Sequence, residues 1–113
     1  MESHKKMLWK TNYNCKLSCN GFIHLDIAPN GIPLEKIGQI FAVETEDNSH
    51  PPVSVELVDI AKVTVEKLHN VDTISSHGMD KYDFIQFMKN KIPTINSETV
   101  LGIYIYKKPQ QIQ

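Results

Sequence analysis

Hydrophobic and polar residues alternate along much of the 113-residue chain, a pattern that predicts β-strands. In "FIHLDI" the alternation has period two. One face carries the aliphatic residues Ile23, Leu25 and Ile27, and the other carries Phe22, His24 and Asp26. We expect the aliphatic face to point to the core and the other face to be solvated. The preceding Asn20-Gly21 pair is the preferred type I′ turn, so this strand is predicted to form a β-hairpin with "LWKTNYNCKLSC".

Three more segments have the composition of strands. "QIFAVETE" is one, and "VSVELVDIAKVTV" is a longer one whose alternation changes parity at Leu57-Val58, which predicts a β-bulge. "TVLGIYIYKK" is the last, with Tyr104 and Tyr106 on the face opposite its aliphatic residues. The proline- and glycine-containing segments "APNGIPLEKIG" and "DNSHPP" separate these strands and are predicted loops.

One segment, "MDKYDFIQFMKNK", has the helical period, and it predicts an α-helix over residues 80–91. Asp80 is its expected N-cap, and an acidic residue in the first turn suits the positive end of the helix dipole. The predicted apolar face consists of Tyr82, Ile85 and Met88, with Phe84 nearby. The segment before it, "EKLHNVDTISSHG", is predicted to be irregular, with room for one short helical turn.

One helix beside about five strands favours a single α+β domain over residues 1–113. We expect a small curled β-barrel of five to six strands, with residues 109–113 as a frayed tail. No apolar run is long enough to cross a bilayer, and no apolar stretch follows the first lysines as in a secretory signal. The predicted location is therefore cytoplasmic, away from membranes.

The charge of the chain is unevenly distributed. The formal net charge is −1, but residues 21–60 contain seven acidic residues and a single lysine. The twelve basic residues are all lysines. Because arginine supplies the planar fork that reads guanine in duplex DNA, its absence argues against sequence-specific duplex recognition.

The two cysteines, Cys15 and Cys19, have a C-x₃-C spacing. On one strand their Cα atoms would lie about 13 Å apart, too far for a disulfide. A zinc site would need His24 and a further ligand, and this spacing is not typical of zinc sites. We predict two reduced thiols, and neither a metal nor another cofactor.

Four of these segments together resemble the ASCH family of PUA-like domains. They are "IGQIFAVETE", "VSVELVDIAKVTVEKL", "SHGMDKYDFIQFMKNK" and "TVLGIYIYKK", and the match covers about residues 32–108. The resemblance implies a β-barrel of the PUA superfold and association with RNA or modified nucleosides. In some members it also implies amidohydrolase activity on acetylated cytidine.

The catalytic members of that family share a Gly-x-Lys-Thr segment. The only position that could hold it here is Gly21-Phe22-Ile23-His24, where Ile23 and His24 occupy the lysine and threonine positions. The resemblance therefore implies a domain without the catalytic motif, and no catalytic residue is carried over.

Several residues nevertheless have side chains suited to binding or catalysis. His24 and Asp26 share a strand face and could hydrogen-bond, with Cys19 or Ser18 across the predicted turn as a nucleophile. An exposed hairpin, however, offers neither water exclusion nor an oxyanion donor. The competing interpretation is an exposed polar strand face.

Two further groups are candidates for ligand contacts. His77 and Lys81 flank the start of the predicted helix, where an anion could bind, although Asp80 and Asp83 occupy the same positive end. On the last strand, Tyr104 and Tyr106 could stack on bases while Lys107 contacts a phosphate; the alternative is an ordinary solvated strand face.

The first functional hypothesis is a non-catalytic PUA-like domain that binds RNA or a nucleotide-like ligand. Its candidate residues are His24, Asp26, His77, Lys81, Tyr104, Tyr106 and Lys107. The second is a small interaction module, of the kind that a phage or virus encodes, that binds a host protein through the acidic segment 26–59. Its candidate residues are Glu44, Glu46 and Asp47. A third, an amidohydrolase acting on an acylated nucleoside, is disfavoured by the missing lysine and threonine.

Overall fold

The structure is a computed structural model that describes residues 5–28 and 35–109. Most of the predicted loop "APNGIPLEKIG" and residues 110–113 of the predicted tail lie outside these ranges. In chain order the elements are β1 (Lys5–Trp9), a 3₁₀ segment (Tyr13–Ser18), β2 (Gly21–Ile27), β3 (Ile40–Thr45), β4 (Val53–Thr64), a 3₁₀ turn (Val65–Lys67), α1 (Asn70–His77), α2 (Lys81–Lys91) and β5 (Val100–Lys107).

The five strands form one mixed sheet in the order β1-β3-β4-β5-β2. β1 pairs parallel with β3, and the other pairs are antiparallel. The predicted hairpin is therefore wrong, because β2 pairs with β5 and places His24 opposite Tyr104. The chain leaves β1 into the 3₁₀ segment, where Asn14 and Cys15 have φ values of 56° and 55°. This kinked segment takes the place of the first hairpin arm.

The predicted bulge in the long strand is confirmed. The register of β4 against β5 shifts between Leu57 and Asp59. Such an insertion bends the strand and locally increases its twist. Because one residue is skipped, Ile60 packs on the same core cluster as Val55 and Leu57.

Both faces of the sheet are buried, each by its own cluster. The first cluster is rich in aromatic residues and contains Trp9, Tyr13, Leu17, Phe22, Phe41, Val43, Val55, Leu57, Tyr104 and Tyr106. The second is mainly aliphatic and contains Leu25, Val65, Leu68, Phe84, Met88, Ile95 and Leu101. The solvated faces predicted for β2 and β5 are therefore wrong at four positions. Phe22, His24, Tyr104 and Tyr106 are 8%, 8%, 4% and 3% exposed.

Two helices pack beside the sheet: α2 contributes Phe84 and Met88 to the second cluster, and α1 contacts β2, the 3₁₀ segment and α2. α1 is an eight-residue helix where irregular structure was predicted, and it ends at Gly78, whose φ of 72° is left-handed. The predicted N-cap of α2 is confirmed, since the Asp80 carboxylate accepts the Asp83 N–H at 2.8 Å. The buried residues of α2 are Phe84 and Met88. Tyr82, assigned to the apolar face from sequence, is 71% exposed.

The α+β class is confirmed, whereas the predicted barrel is not. Within the described residues the sheet is open, with β1 and β2 as its edges. Side chains nevertheless join the two edges, since the Trp9 and His24 rings stack with their centroids 4.3 Å apart. None of the helices in the described part of the chain has the length and apolar content to cross a membrane.

Gly102 gives a direct test of the packing on the aromatic face. A Cβ added there would lie 2.6 Å from the Tyr104 ring, which is held in the core by its neighbours. We expect Gly102→Ala to lower the free energy of unfolding by about 1–3 kcal/mol, measured by urea denaturation. Gly21→Ala is the matched control, because its nearest contact is the Tyr106 carbonyl at 3.6 Å. Equal stability of the two variants would contradict the packing described.

Candidate functional site

A cavity of about 560 Å³ opens between β1, β2 and the two helices. Its walls include Trp9, Tyr13, His24, Asp26, His77 and Lys91. A second cavity of about 250 Å³ shares Trp9, His24 and Asp26 with the first and extends to Glu35, Tyr104 and Tyr106. We refer to the two cavities together as the aromatic cleft.

A row of stacked rings forms one wall of this cleft. The Trp9 and His24 rings are nearly parallel, with an interplanar angle of 11°. His24 is followed by His77, with centroids 5.1 Å apart, and His77 by Tyr13 at 4.5 Å. In this row the His24 ring is stacked between Trp9 and His77, and Tyr13 is tilted by 45° against His77. Side chains from β1, β2, α1 and the 3₁₀ segment thus line one space with aromatic rings, which pack well against planar ligands.

The side chain of Lys16 lies behind this row and is only 2% exposed. Its Nζ lies 3.0 Å from the Ile23 carbonyl oxygen, and 2.6 Å from both the Ser76 carbonyl oxygen and His24 Nδ1. It is also 4.9 Å from the centroid of the Trp9 ring, a favourable cation–π position. Burial lowers the pKa of Lys16 to about 7.

Ser76 connects α1 to β2 beside that lysine. Its hydroxyl oxygen accepts the Leu25 N–H at 2.8 Å and lies 2.7 Å from His77 Nδ1. A serine beside a histidine is also the arrangement of an activated nucleophile. Ser76 is 0% exposed, however, so its hydroxyl is closed to a substrate and serves to hold the histidine.

The histidines of the cleft are held in their neutral form. Burial and the Lys16 charge lower the pKa of His24 well below its ordinary value, and they lower that of His77 to about 3. Asp26 is exposed as a whole residue, but surrounding protein atoms desolvate its carboxyl group and raise its pKa. Burial, with the Glu35 charge, raises the pKa of Tyr104 to about 12.

The structure brings five of the seven predicted ligand-binding residues to the cleft. His24, Asp26 and His77 line the larger cavity, and Asp26 also borders the smaller one with Tyr104 and Tyr106. The prediction that His24 lies on an exposed hairpin face is wrong, because β2 has partners on both of its faces.

The other two predicted ligand-binding residues lie elsewhere. Lys81 Nζ donates to the Glu66 carbonyl at 2.9 Å, and Lys107 is exposed at the end of β5. Neither lines the cleft. Of the two residues predicted to flank an anion site, only His77 lies in the cleft. The side chain of Lys107 is exposed, whereas those of Tyr104 and Tyr106 are buried.

The acidic residues of the second hypothesis are in three different settings. Glu44 pairs with Lys6 at 2.6 Å, and Asp47 accepts the Ser49 N–H at 3.0 Å. Glu46 lines the larger cavity. Their use as a binding surface for a protein partner stays a prediction.

The predicted nucleophiles near His24 are not part of the cleft. Cys15 and Cys19 are exposed free thiols, and Ser18 is exposed as well. Within residues 5–28 and 35–109 no three His, Cys, Asp or Glu side chains are grouped so as to hold a metal ion.

Several residues in and around the cleft are not among the predicted site residues. Trp9, Tyr13, Lys10 and Lys91 line the larger cavity, and Lys16 lies behind the row of rings. The concentration of aromatic residues before β2 is a sequence feature that could have identified the first two. Nothing in the sequence distinguishes Lys16 or Lys91 from the ten other lysines.

No family model and no curated protein matches this sequence. Solved structures do match the fold. One is an ASCH domain from Lactobacillus crispatus, with a TM-score of 0.63 and 13% identity over 84% of this chain and 68% of that one. The fold is ASCH-like. A protein of Enterococcus faecalis from family DUF984 also matches the ASCH-like fold, with a TM-score of 0.71 and 9% identity over 96% of this chain and 78% of that one.

The resemblance to ASCH domains inferred from sequence is thereby confirmed for the fold. At sequence identities of 13% and 9%, these matches show that the folds are alike and do not extend to the activity of this chain. That this ASCH-like domain lacks the Gly-x-Lys-Thr motif stays a prediction.

The buried lysine makes stability depend on pH. The folded pKa of about 7 lies below the ordinary 10.5, so between these values the unfolded chain binds more protons and stability rises with pH. We expect the wild type to gain at most about 5 kcal/mol relative to Lys16→Met across this window, measured by urea denaturation at several pH values. Lys91→Met, which keeps Lys16, should show the wild-type rise. Parallel profiles for the wild type and Lys16→Met would contradict the burial of the charge.

Proposed function

We propose that this ASCH-like domain binds a nucleotide-like ligand, either free or as an unpaired base of RNA, in the aromatic cleft and without catalysis. The observation that carries the proposal is the row of rings from Trp9 through His24 to His77 along a cavity of about 560 Å³. Cavities of this size hold small ligands, and bases stack on aromatic side chains. The association of ASCH domains with RNA or modified nucleosides, implied by the resemblance, supports the same class of ligand.

The charges at the mouth of the cleft suit a ligand with a phosphate at one end. Lys10 and Lys91 line the larger cavity, and either amine could contact a phosphate. Asp26 and Glu46 line the same cavity and would repel one, so we place the phosphate on the lysine side. This assignment replaces Lys81 and Lys107 as the phosphate contacts.

We propose that the cleft is not catalytic because the two reactive groups beside it, the Lys16 amine and the Ser76 hydroxyl, are buried. Lys16 is 2% exposed and its amine is surrounded by three acceptors, while Ser76 is fully enclosed. Neither group can reach a substrate in the cleft. The amidohydrolase hypothesis therefore lacks an accessible cysteine or serine nucleophile among the described residues that line the cleft.

Trp9 is the single tryptophan of the chain and lies in the cleft, so its fluorescence reports on occupancy. We expect nucleoside monophosphates and short single-stranded RNA to change Trp9 fluorescence saturably, with an affinity that falls as salt rises. Lys91→Met should weaken binding of a monophosphate about tenfold while leaving the nucleoside unaffected. Lys107→Met is the control and should bind like the wild type.

The absence of saturable change with every nucleotide and with an RNA pool would refute the proposed function. Equal loss of monophosphate binding in Lys91→Met and Lys107→Met would refute the location of the phosphate.

Acylated nucleosides test the non-catalytic part of the proposal. We expect an N-acylated cytidine incubated with the protein to remain intact, followed by chromatography over hours, because no accessible nucleophile faces the cleft. Turnover that His24→Ala abolishes would instead assign the protein to the amidohydrolases.

A further inference from the structure

The hydrogen bonds of Lys16 determine which nitrogen of His24 carries its proton. An ammonium group has three N–H donors and no acceptor. Two of its partners, the Ile23 and Ser76 carbonyl oxygens, can only accept. The third partner, His24 Nδ1 at 2.6 Å, must therefore also accept, which places the imidazole proton on Nε2.

The Ser76 hydroxyl likewise determines which ring nitrogen of His77 carries the proton. Its oxygen already accepts the Leu25 N–H, and its other near neighbour, Lys16 Nζ at 3.4 Å, is a donor. Among the described residues the one acceptor for the hydroxyl proton is His77 Nδ1, at 2.7 Å. The opposite assignment would leave a fully buried hydroxyl proton without an acceptor, which is unfavourable. His77 therefore also carries its proton on Nε2.

Both Nε2 atoms remain available to a ligand. Among residues 5–28 and 35–109 the hydrogen bonds of both imidazoles are made at Nδ1, and both rings line the larger cavity. Both rings are neutral, because burial and the nearby lysine charge oppose a second proton. One wall of the cleft thus offers two neutral N–H donors.

We propose that Lys16 is a specificity-determining residue that acts through these histidines, holding His24 directly and His77 through Ser76 so that the cleft selects bases that carry a ring carbonyl. The inference rests on the proposed function. A carbonyl oxygen has two lone pairs and accepts from either imidazole or from both. A base without an oxo group leaves these donors unpaired in a partly dry cleft, which weakens binding.

The protonated nitrogens can be observed directly in the free protein. Long-range ¹H–¹⁵N correlation spectra at pH 6, below the pKa of Lys16, distinguish protonated from unprotonated ring nitrogens; His24→Gln and His77→Gln assign the signals. We expect Nε2–H at both histidines of the wild type. Lys16→Met should change the His24 pattern, Ser76→Ala should change that of His77, and Lys107→Met, which alters an exposed lysine outside the cleft, should change neither.

A wild-type His24 protonated on Nδ1 would overturn the inference, whether or not the variants fold. An unchanged His24 pattern in a folded Lys16→Met would overturn it as well, since a purely structural lysine would leave the tautomer as it is.

Binding of matched nucleosides tests the consequence for the ligand. Inosine and purine riboside share one ring system and differ by the oxo group. We expect inosine to bind about tenfold more tightly by Trp9 fluorescence, with the ratio falling towards one in Lys16→Met but not in Lys107→Met. Binding of both with equal affinity would overturn carbonyl selection and leave the proposed function in place. No binding of either, together with no binding of any nucleotide, would overturn both.

Discussion

A buried lysine without a carboxylate partner among the described residues is the constraint around which the cleft is built. Desolvating the Lys16 ammonium is unfavourable, and the structure offsets this with two carbonyl oxygens, an imidazole nitrogen and the face of Trp9. These partners come from β1, β2 and α1, while the lysine comes from the 3₁₀ segment. Satisfying one charge therefore fixes the relative positions of four elements, and the same contacts orient the rings that face the cavity.

The regular parts of the ASCH-like fold are predictable because local chemistry determines them. The change of alternation at Leu57-Val58 corresponds to a shift in the register of β4 against β5. Asp80 caps α2 because its carboxylate, placed just before the helix, accepts the free N–H of Asp83. Strands β3, β4 and β5 follow from their composition for the same reason. The α+β class follows in turn, because one helix and several strands leave few other architectures.

The errors of the sequence analysis arise where distant contacts override local preference. The Asn20-Gly21 pair favours a tight turn, but the partner of β2 is β5, far along the chain, and no local pattern encodes that choice. Alternation likewise assumes one solvated face, whereas the sheet buries Phe22 and Tyr104 on one side and Leu25 on the other. A lysine is rarely buried, so Lys16 is indistinguishable in sequence from lysines at the surface.

The sheet order also determines when the cleft can form during folding. Gly21 lies opposite Lys107, so β2 pairs along its full length only with a strand that ends 86 residues further along the chain. β1 likewise pairs with β3, which follows it by about thirty residues. The Trp9 and His24 rings can stack only after β1 has paired with β3 and β2 has paired with β5. Contacts between such distant segments form slowly, because a long loop must close before they become favourable. The aromatic cleft is thus expected to be among the last parts of the molecule to acquire its shape, after α2 and the β3–β4 pair have formed from neighbouring residues.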